Sequence, residues 1–253
     1  FHWDMGVTGA AIASSFAEAC SLAVLAIHVL RKMDRRLYGL YWNFDKGLLH
    51  HVCRVSVWSM FHSFIGVASW LALFVAVEHL GEMELAATNV IRSVSTVFFV
   101  IVNSLAATTG SLVSNLLGAG QKAQVIPLCN RVVRLGYAIG FPLVILAVIF
   151  YRPIVGIYTE STVLMQIAHL PFVVMLLNYV FALPGYVYMN AVTGIGATRM
   201  TFIFQLITIV AYQIYLWSIS GFSTSLSVYW TAEYLYVILL GLLSVIYLKY
   251  KHY

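Results

Sequence analysis

The sequence predicts an all-α polytopic membrane protein with seven transmembrane helices, and three observations carry that prediction. Only 9% of the 253 residues are charged and 62% are hydrophobic, against roughly 25% charged in an ordinary soluble domain. A soluble chain of this length has too much surface to cover with so few polar groups, and the mean hydropathy of +0.91 points the same way. Seven long apolar segments are separated by short polar breaks. The stretch from Ser93 to Gln121 contains no Asp, Glu, Lys, Arg or His, and a bilayer core of about 30 Å needs only roughly 20 apolar residues of helix.

Taken in order, the spans fall at 6–30, 55–80, 85–117, 132–151, 164–193, 200–221 and 226–248. The first ends in a basic run containing Arg31, Lys32, Arg35 and Arg36, with Lys46 further on. The second ends among Glu78, Glu82 and Glu84, and the third at Gly118, Gly120 and Lys122. Pro142 bends the fourth, which stops at Arg152 and Pro153 with Glu160 beyond. Pro184 and Gly185 interrupt the fifth near its middle, because proline frees a backbone carbonyl one turn earlier. Gly194 and Gly196 close that span, and the segment from Gly221 to Ser225 separates the last two.

The third span is more than an anchor. Thr96, Asn103, Ser111 and Ser114 recur near helical spacing, with Ala107 and Gly110 between them. Such a small, polar face suits packing against other helices or lining a wet cavity. Gly136 and Gly140 form a Gly-x-x-x-Gly pair in the fourth span, a mark of close helix packing. All fourteen Lys and Arg residues except Arg92 and Arg152 fall in or beside alternate loops. By the positive-inside tendency those loops are cytoplasmic, with the C-terminus inside and the N-terminus outside.

Several classes are disfavoured. The net charge of +5 comes from residues set between apolar spans, a pattern that does not suggest nucleic acid. Cys20, Cys53 and Cys129 are too few and scattered for a disulfide framework. His50, His51 and Cys53 lack further ligands for a metal site, so no metal or cofactor is expected. No nucleophile–base cluster suggests an enzyme, and Gly118 and Gly120 do not follow a strand as a phosphate loop requires. The chain opens on Phe1 without an initiator Met or a basic stretch before its first apolar run, which is expected of a piece of a longer protein.

A charge at a helix centre costs about 2.5–3.5 kcal/mol on insertion scales, so charged residues inside spans are functional candidates by default. Glu18 in the first span and Glu233 in the last are candidates for binding a coupling cation. Arg92, with Asn89, Ser93 and Thr96 on its side of the third helix, makes a polar patch suited to an ion pair, a gate or an anionic group. Asn103 extends that face. Asn178, Tyr186 and Asn190 flank the expected break at Pro184 and Gly185 and are candidate cavity residues, with the break itself a candidate hinge.

The segments AATNVIRS (86–93) and TGSLVSNLLGAGQ (109–121) resemble the eighth helix and following turn of the multidrug and toxic compound extrusion (MATE) family. GVTGAAIAS (6–14) resembles the start of that family's sixth helix, and NAVTGIGAT (190–198) the end of its tenth. Their order and spacing extend the resemblance over essentially the whole chain. It implies a twelve-helix antiporter of two six-helix lobes. Residues 1–54 would be the last helix of the first lobe and a cytoplasmic inter-lobe loop, and residues 55–253 the second lobe. It further implies export of amphipathic or cationic organic compounds in exchange for Na⁺ or H⁺, in a bacterial inner membrane. The partners implied are the lipid bilayer, a small organic substrate and the missing N-terminal lobe of the same protein. His62 and Ser63 are candidate cavity residues that lie where some members carry a coupling carboxylate, and this chain has no acid there or near Pro184. Two alternatives stay open: a lipid-linked saccharide flippase of related architecture, and a seven-helix receptor-like protein.

Overall fold

The computed structural model describes residues 6–32, 45–222 and 225–250. The expected start of the chain at Phe1, the basic residues Arg35 and Arg36, and Lys251 lie outside the described residues. The described chain is helical throughout: α1 Gly6–Lys32, α2 Lys46–Glu78, α3 Glu82–Gly118, α4 Val125–Ile149, α5 Tyr151–Gly156, α6 Thr162–Leu177, α7 Tyr179–Gly194, α8 Thr198–Ser220, α9 Leu226–Trp230 and α10 Ala232–Tyr250. Six spans among the described residues are long and apolar enough to cross a membrane, and α6 with α7 make a seventh, bent by 41°. The chain clusters into two units, Phe1–Leu49 and His50–Tyr253.

Two helices start earlier than expected, each for a local reason. The Asp45 carboxylate accepts from the backbone N–H of Gly47 at 2.7 Å and Leu48 at 3.2 Å. It is therefore an N-cap, and the polar residues from Lys46 to Arg54 form the first turns of α2 rather than a loop. A 3₁₀ turn at Lys122–Gln124 leads into α4. Pro127 in the first turn of α4 costs no hydrogen bond, because those N–H groups have no partner within the helix. Buried Val125 and Cys129 then anchor residues that hydropathy alone assigns to a loop.

Within the second unit α7 is the axis, packed against α3, α10, α4 and α8. Small residues set the spacing. A Cβ on Gly194 would collide with the Gly110 backbone of α3, and one on Gly185 would stand 2.7 Å from the Val237 carbonyl oxygen of α10. The Gly-x-x-x-Gly pair of α4 receives Leu183 against Gly136 and the Tyr179 ring against Gly140. The Tyr179 hydroxyl then donates to the Gly136 carbonyl at 2.8 Å.

The break in the 164–193 segment lies at Asn178, six residues before Pro184, and α7 runs unbroken through Pro184 and Gly185. Pro184 cannot supply the N–H that the Val180 carbonyl would accept, and the Tyr137 hydroxyl supplies a donor instead, at 2.6 Å. Gly185 is pressed against α10, so its lack of a side chain serves packing. The bend at Asn178 is held from both sides, by Tyr179 on α4 and by the Tyr234 hydroxyl on the Val174 carbonyl at 2.5 Å. The last span also breaks, at Thr231, whose hydroxyl donates to Val228 at 2.6 Å and meets Tyr215 at 2.8 Å.

Gly185→Ala is expected to lower thermal stability by about 1–3 kcal/mol, the usual cost of overpacking, because Val237 offers backbone rather than a movable side chain. Gly118→Ala, with nothing within 4 Å of its added carbon, should leave the melting temperature of the purified protein unchanged.

Candidate functional site

The polar face of α3 divides into two parts. Towards its C-terminal end it packs: the Ser114 hydroxyl reaches the Gly194 carbonyl at 2.7 Å, and a Cβ on Gly110 would meet the Asn190 carbonyl oxygen at 3.2 Å. Towards its N-terminal end it lines a cavity of about 370 Å³, where Arg92, Ser93, Thr96, Phe99 and Asn103 face Trp70 of α2 and Tyr186 of α7. Arg92, Thr96, Phe99 and Asn103 are three or four residues apart, which places them along one side of the helix, with Ser93 next to Arg92.

The cavity has a defined chemistry. Ser93 donates to the Asn89 carbonyl at 2.9 Å and Thr96 to the Arg92 carbonyl at 3.0 Å. Their hydroxyl protons are committed to the helix, so their lone pairs remain as acceptors. Phe99 meets Tyr186 edge-on at 6.1 Å, which gives the cavity an aromatic wall. The Arg92 guanidinium stands 5.1 Å above the Phe74 ring, and it forms no ion pair among the described residues. Two larger hollows, about 650 Å³ near Arg152 and about 750 Å³ near Trp217, lie among exposed apolar side chains at the outside of the unit.

A second polar group is buried between α8 and α10. Glu233 is 8% exposed, and its carboxylate accepts from the Tyr212 hydroxyl at 2.9 Å. One turn further along α10 and about two turns back along α8, the Gln205 amide donates to the Tyr236 hydroxyl at 2.5 Å. Gln205 Oε1 and Thr208 Oγ1 are buried with no hydrogen-bond partner among the described residues. The Tyr186 hydroxyl lies close to Tyr236, so this tyrosine belongs to both the cavity and the buried group.

The structure thus brings Arg92, Ser93, Thr96, Asn103 and Tyr186 together and places the other sequence candidates apart. Asn89 is exposed, with its amide on the Leu85 carbonyl at 3.1 Å, and the Asn190 amide donates to Tyr186 at 3.0 Å. Asn178 is buried at the bend with Oδ1 unpartnered among the described residues. Ser63 is exposed, while His62 is half-buried with Nε2 unpartnered among the described residues. Glu18 lies midway along α1 in the first unit, with its side chain exposed. Sequence reasoning missed Trp70, Phe99 and the α8 contributors. The signal for the latter was present: Thr201, Gln205, Thr208 and Tyr212 form a stripe at helical spacing in an otherwise apolar span. Among the described residues no three His, Cys, Asp or Glu side chains gather as they would around a metal ion.

Tyr212→Phe removes the hydroxyl that Glu233 accepts from. Hydrogen bonds to charged groups contribute about 1.5–3 kcal/mol, so the variant should melt measurably earlier in detergent. Tyr215→Phe, at a half-buried site, should cost less.

The sequence profile of the MatE family matches residues 59–217. No curated protein sequence matches the chain. Among solved structures, a MATE in complex with MaL6 aligns with a TM-score of 0.84 at 15% identity, covering 98% of this chain and 57% of its own. A MATE in the bent conformation aligns at 0.69 with 16% identity, covering 78% and 44%. A MOP-superfamily transporter from Pyrococcus furiosus, whose binding pocket of reverse polarity suggests a different function, aligns at 0.66 with 16% identity, covering 79% and 44%. The chain spans about half the length of these transporters. At such identities they establish the shared helical fold, and the profile match over most of the second unit establishes kinship: the chain belongs to the MatE family of membrane transporters.

Proposed function

We propose that the chain contributes one side of the translocation path in a secondary antiporter that exports amphipathic or cationic organic compounds in exchange for Na⁺ or H⁺. The observation that carries this reading is the α3 cavity, where aromatic walls from Trp70, Phe99 and Tyr186 stand beside the hydroxyl acceptors of Ser93 and Thr96. Aromatic faces attract organic cations by roughly 0.5–2 kcal/mol each. The remaining wall would come from a first lobe of the same protein, with rocking of the lobes giving alternating access. The distribution of Lys and Arg supports a cytoplasmic C-terminus and an external N-terminus, in a bacterial inner membrane. No chemical reaction is part of this function.

Glu233 is the preferred coupling group, since its carboxylate is buried in the same unit as the cavity. Pro184 and Gly185 remain candidates for a bending point during transport, now alongside Asn178. A second reading, a flippase for anionic lipid-linked saccharides, draws on Arg92, whose guanidinium borders the cavity without an acidic partner among the described residues. Membership of a transporter family leaves the receptor-like alternative without support.

The test is efflux of an aromatic cationic dye from proteoliposomes holding the full-length protein, under separate Na⁺ and pH gradients. Phe99→Ala should slow efflux about tenfold, the factor that roughly 1.4 kcal/mol of lost contact produces. Absence of dye movement under both gradients, with Arg92-dependent transfer of an anionic lipid-linked saccharide, would instead favour the flippase.

A further inference from the structure

We propose that the hollow between α5 and α6 binds the phosphate headgroup of an anionic phospholipid, with Arg152 as its charged anchor. The site lies on the outside of the unit and does not depend on the antiporter reading. Of the fourteen Lys and Arg residues, Arg92 and Arg152 alone stand away from the alternate basic loops. Arg92 faces the α3 cavity, whereas Arg152 lines a separate hollow of about 650 Å³ with Thr162, Gln166 and His169. Those three residues follow one another at spacings of four and three, along one side of α6. None of the four side chains forms a hydrogen bond or ion pair among the described residues, so their donors are free.

The position selects a lipid. Arg134 and Arg152 are eighteen residues apart in sequence, about 27 Å at the helical rise, close to the roughly 30 Å of a bilayer core. With Arg134 at one headgroup boundary, Arg152 stands near the other. Ile149, which also lines the hollow, is 67% exposed, and Ile145 one turn down α4 is 58% exposed. A headgroup at Arg152 would therefore lay its acyl chains on apolar surface that is already open to lipid. The donor set selects the headgroup. Paired guanidinium N–H groups match two oxygens of a phosphodiester, and Thr162 and Gln166 add a hydroxyl and an amide donor. One Arg balances one phosphodiester charge. Among the described residues no Asp or Glu lines the hollow to receive the ammonium of a zwitterionic lipid, and Glu160 forms no ion pair with Arg152. Basic pockets between membrane helices take anionic headgroups elsewhere. This one is held in shape by Tyr151, whose hydroxyl donates to the Met165 carbonyl at 2.5 Å and whose ring stands edge-on to His169 at 4.8 Å. Tyr151 precedes Arg152, so the residue that pins α5 to α6 also fixes the backbone from which the guanidinium extends.

The experiment adds phosphatidylglycerol to the full-length protein in detergent and reads amide hydrogen exchange over residues 151–166. Phosphatidylethanolamine and inorganic phosphate at equal concentration are the comparators. Phosphatidylglycerol is expected to slow exchange in this segment at concentrations where the other two have no effect. Arg152→Gln should raise the lipid concentration required about tenfold, the usual result of losing a hydrogen bond to a charged group. Arg152→Lys keeps the charge but not the planar fork, and should fall between the two. Both variants should melt as the parent does without lipid, because the Arg152 side chain is exposed and holds no partner among the described residues. Arg134→Gln, towards the other end of α4, controls for lipid drawn elsewhere and should leave protection of 151–166 unchanged. Equal protection in the parent and Arg152→Gln overturns the site. Protection by phosphatidylethanolamine as strong as by phosphatidylglycerol overturns the anionic headgroup, and protection by inorganic phosphate alone overturns the lipid in favour of a free anion.

Discussion

The closeness with which α7 approaches its neighbours governs the rest of the second unit. Backbone meets backbone at Gly194 and Gly110 on one side, and at Gly185 with Val237 and Gly241 on the other. Membrane helices gain no hydrophobic advantage from leaving lipid, so association depends on such packing and on polar contacts between helices. Two prolines, Pro171 in α6 and Pro184 in α7, lie along this column. The rung that Pro184 breaks is tolerable because Tyr137 serves the Val180 carbonyl, while Tyr234 adds a second donor to the Val174 carbonyl, which already accepts from the Asn178 N–H at 3.1 Å. A neighbouring side chain thus re-satisfies what Pro184 sets free.

A central helix fixed this tightly also determines where polar groups can stand. On the α3 side they open into a cavity beyond the glycine contact, with Asn103 at the end nearer that contact and Tyr186 in its wall. On the α8 and α10 side they are enclosed, with Glu233, Tyr212, Gln205 and Tyr236 paired across the two helices. Tyr186 is the residue with a role on both sides, and its position follows from α7 running straight through Pro184. A bend there rather than at Asn178 would have swung Tyr186 away from one of its two neighbours.

Much of this was readable from composition and spacing. The seven spans, the polar face of α3 and the close packing at Gly136 and Gly140 all follow from patterns local to one helix. What escaped depends on partners distant in sequence. Pro184 signals a break only when nothing replaces its missing N–H, and Tyr137, on another helix, does so. The cap at Asp45 was hidden because Lys46, His50 and Arg54 lower the local hydropathy, although one carboxylate starts the helix. On α8, threonine and tyrosine weigh little in a hydropathy profile, so the stripe from Thr201 to Tyr212 was overshadowed by its apolar neighbours. Glu233 stood out in the sequence, but the pairing with Tyr212 exists only through the antiparallel register of α8 and α10.

One tension remains within the cavity, since a fixed cation at Arg92 sits in a proposed path for organic cations. Distance largely resolves it. Asn103 is eleven residues further along α3, about 16 Å at the helical rise. Two like charges that far apart repel by about 1 kcal/mol at an effective dielectric of 20, against about 3 kcal/mol at 6 Å. Stacking on Phe74 holds the guanidinium at its own end, beside Ser93 and Thr96. The cavity is therefore polarised along α3: a cationic group would settle towards Asn103 and Tyr186, and an anionic one towards Arg92. A molecule with a positive aromatic end and an electron-rich tail fits that gradient lengthwise, whereas a compact dication would meet the full repulsion wherever it reached the Arg92 end.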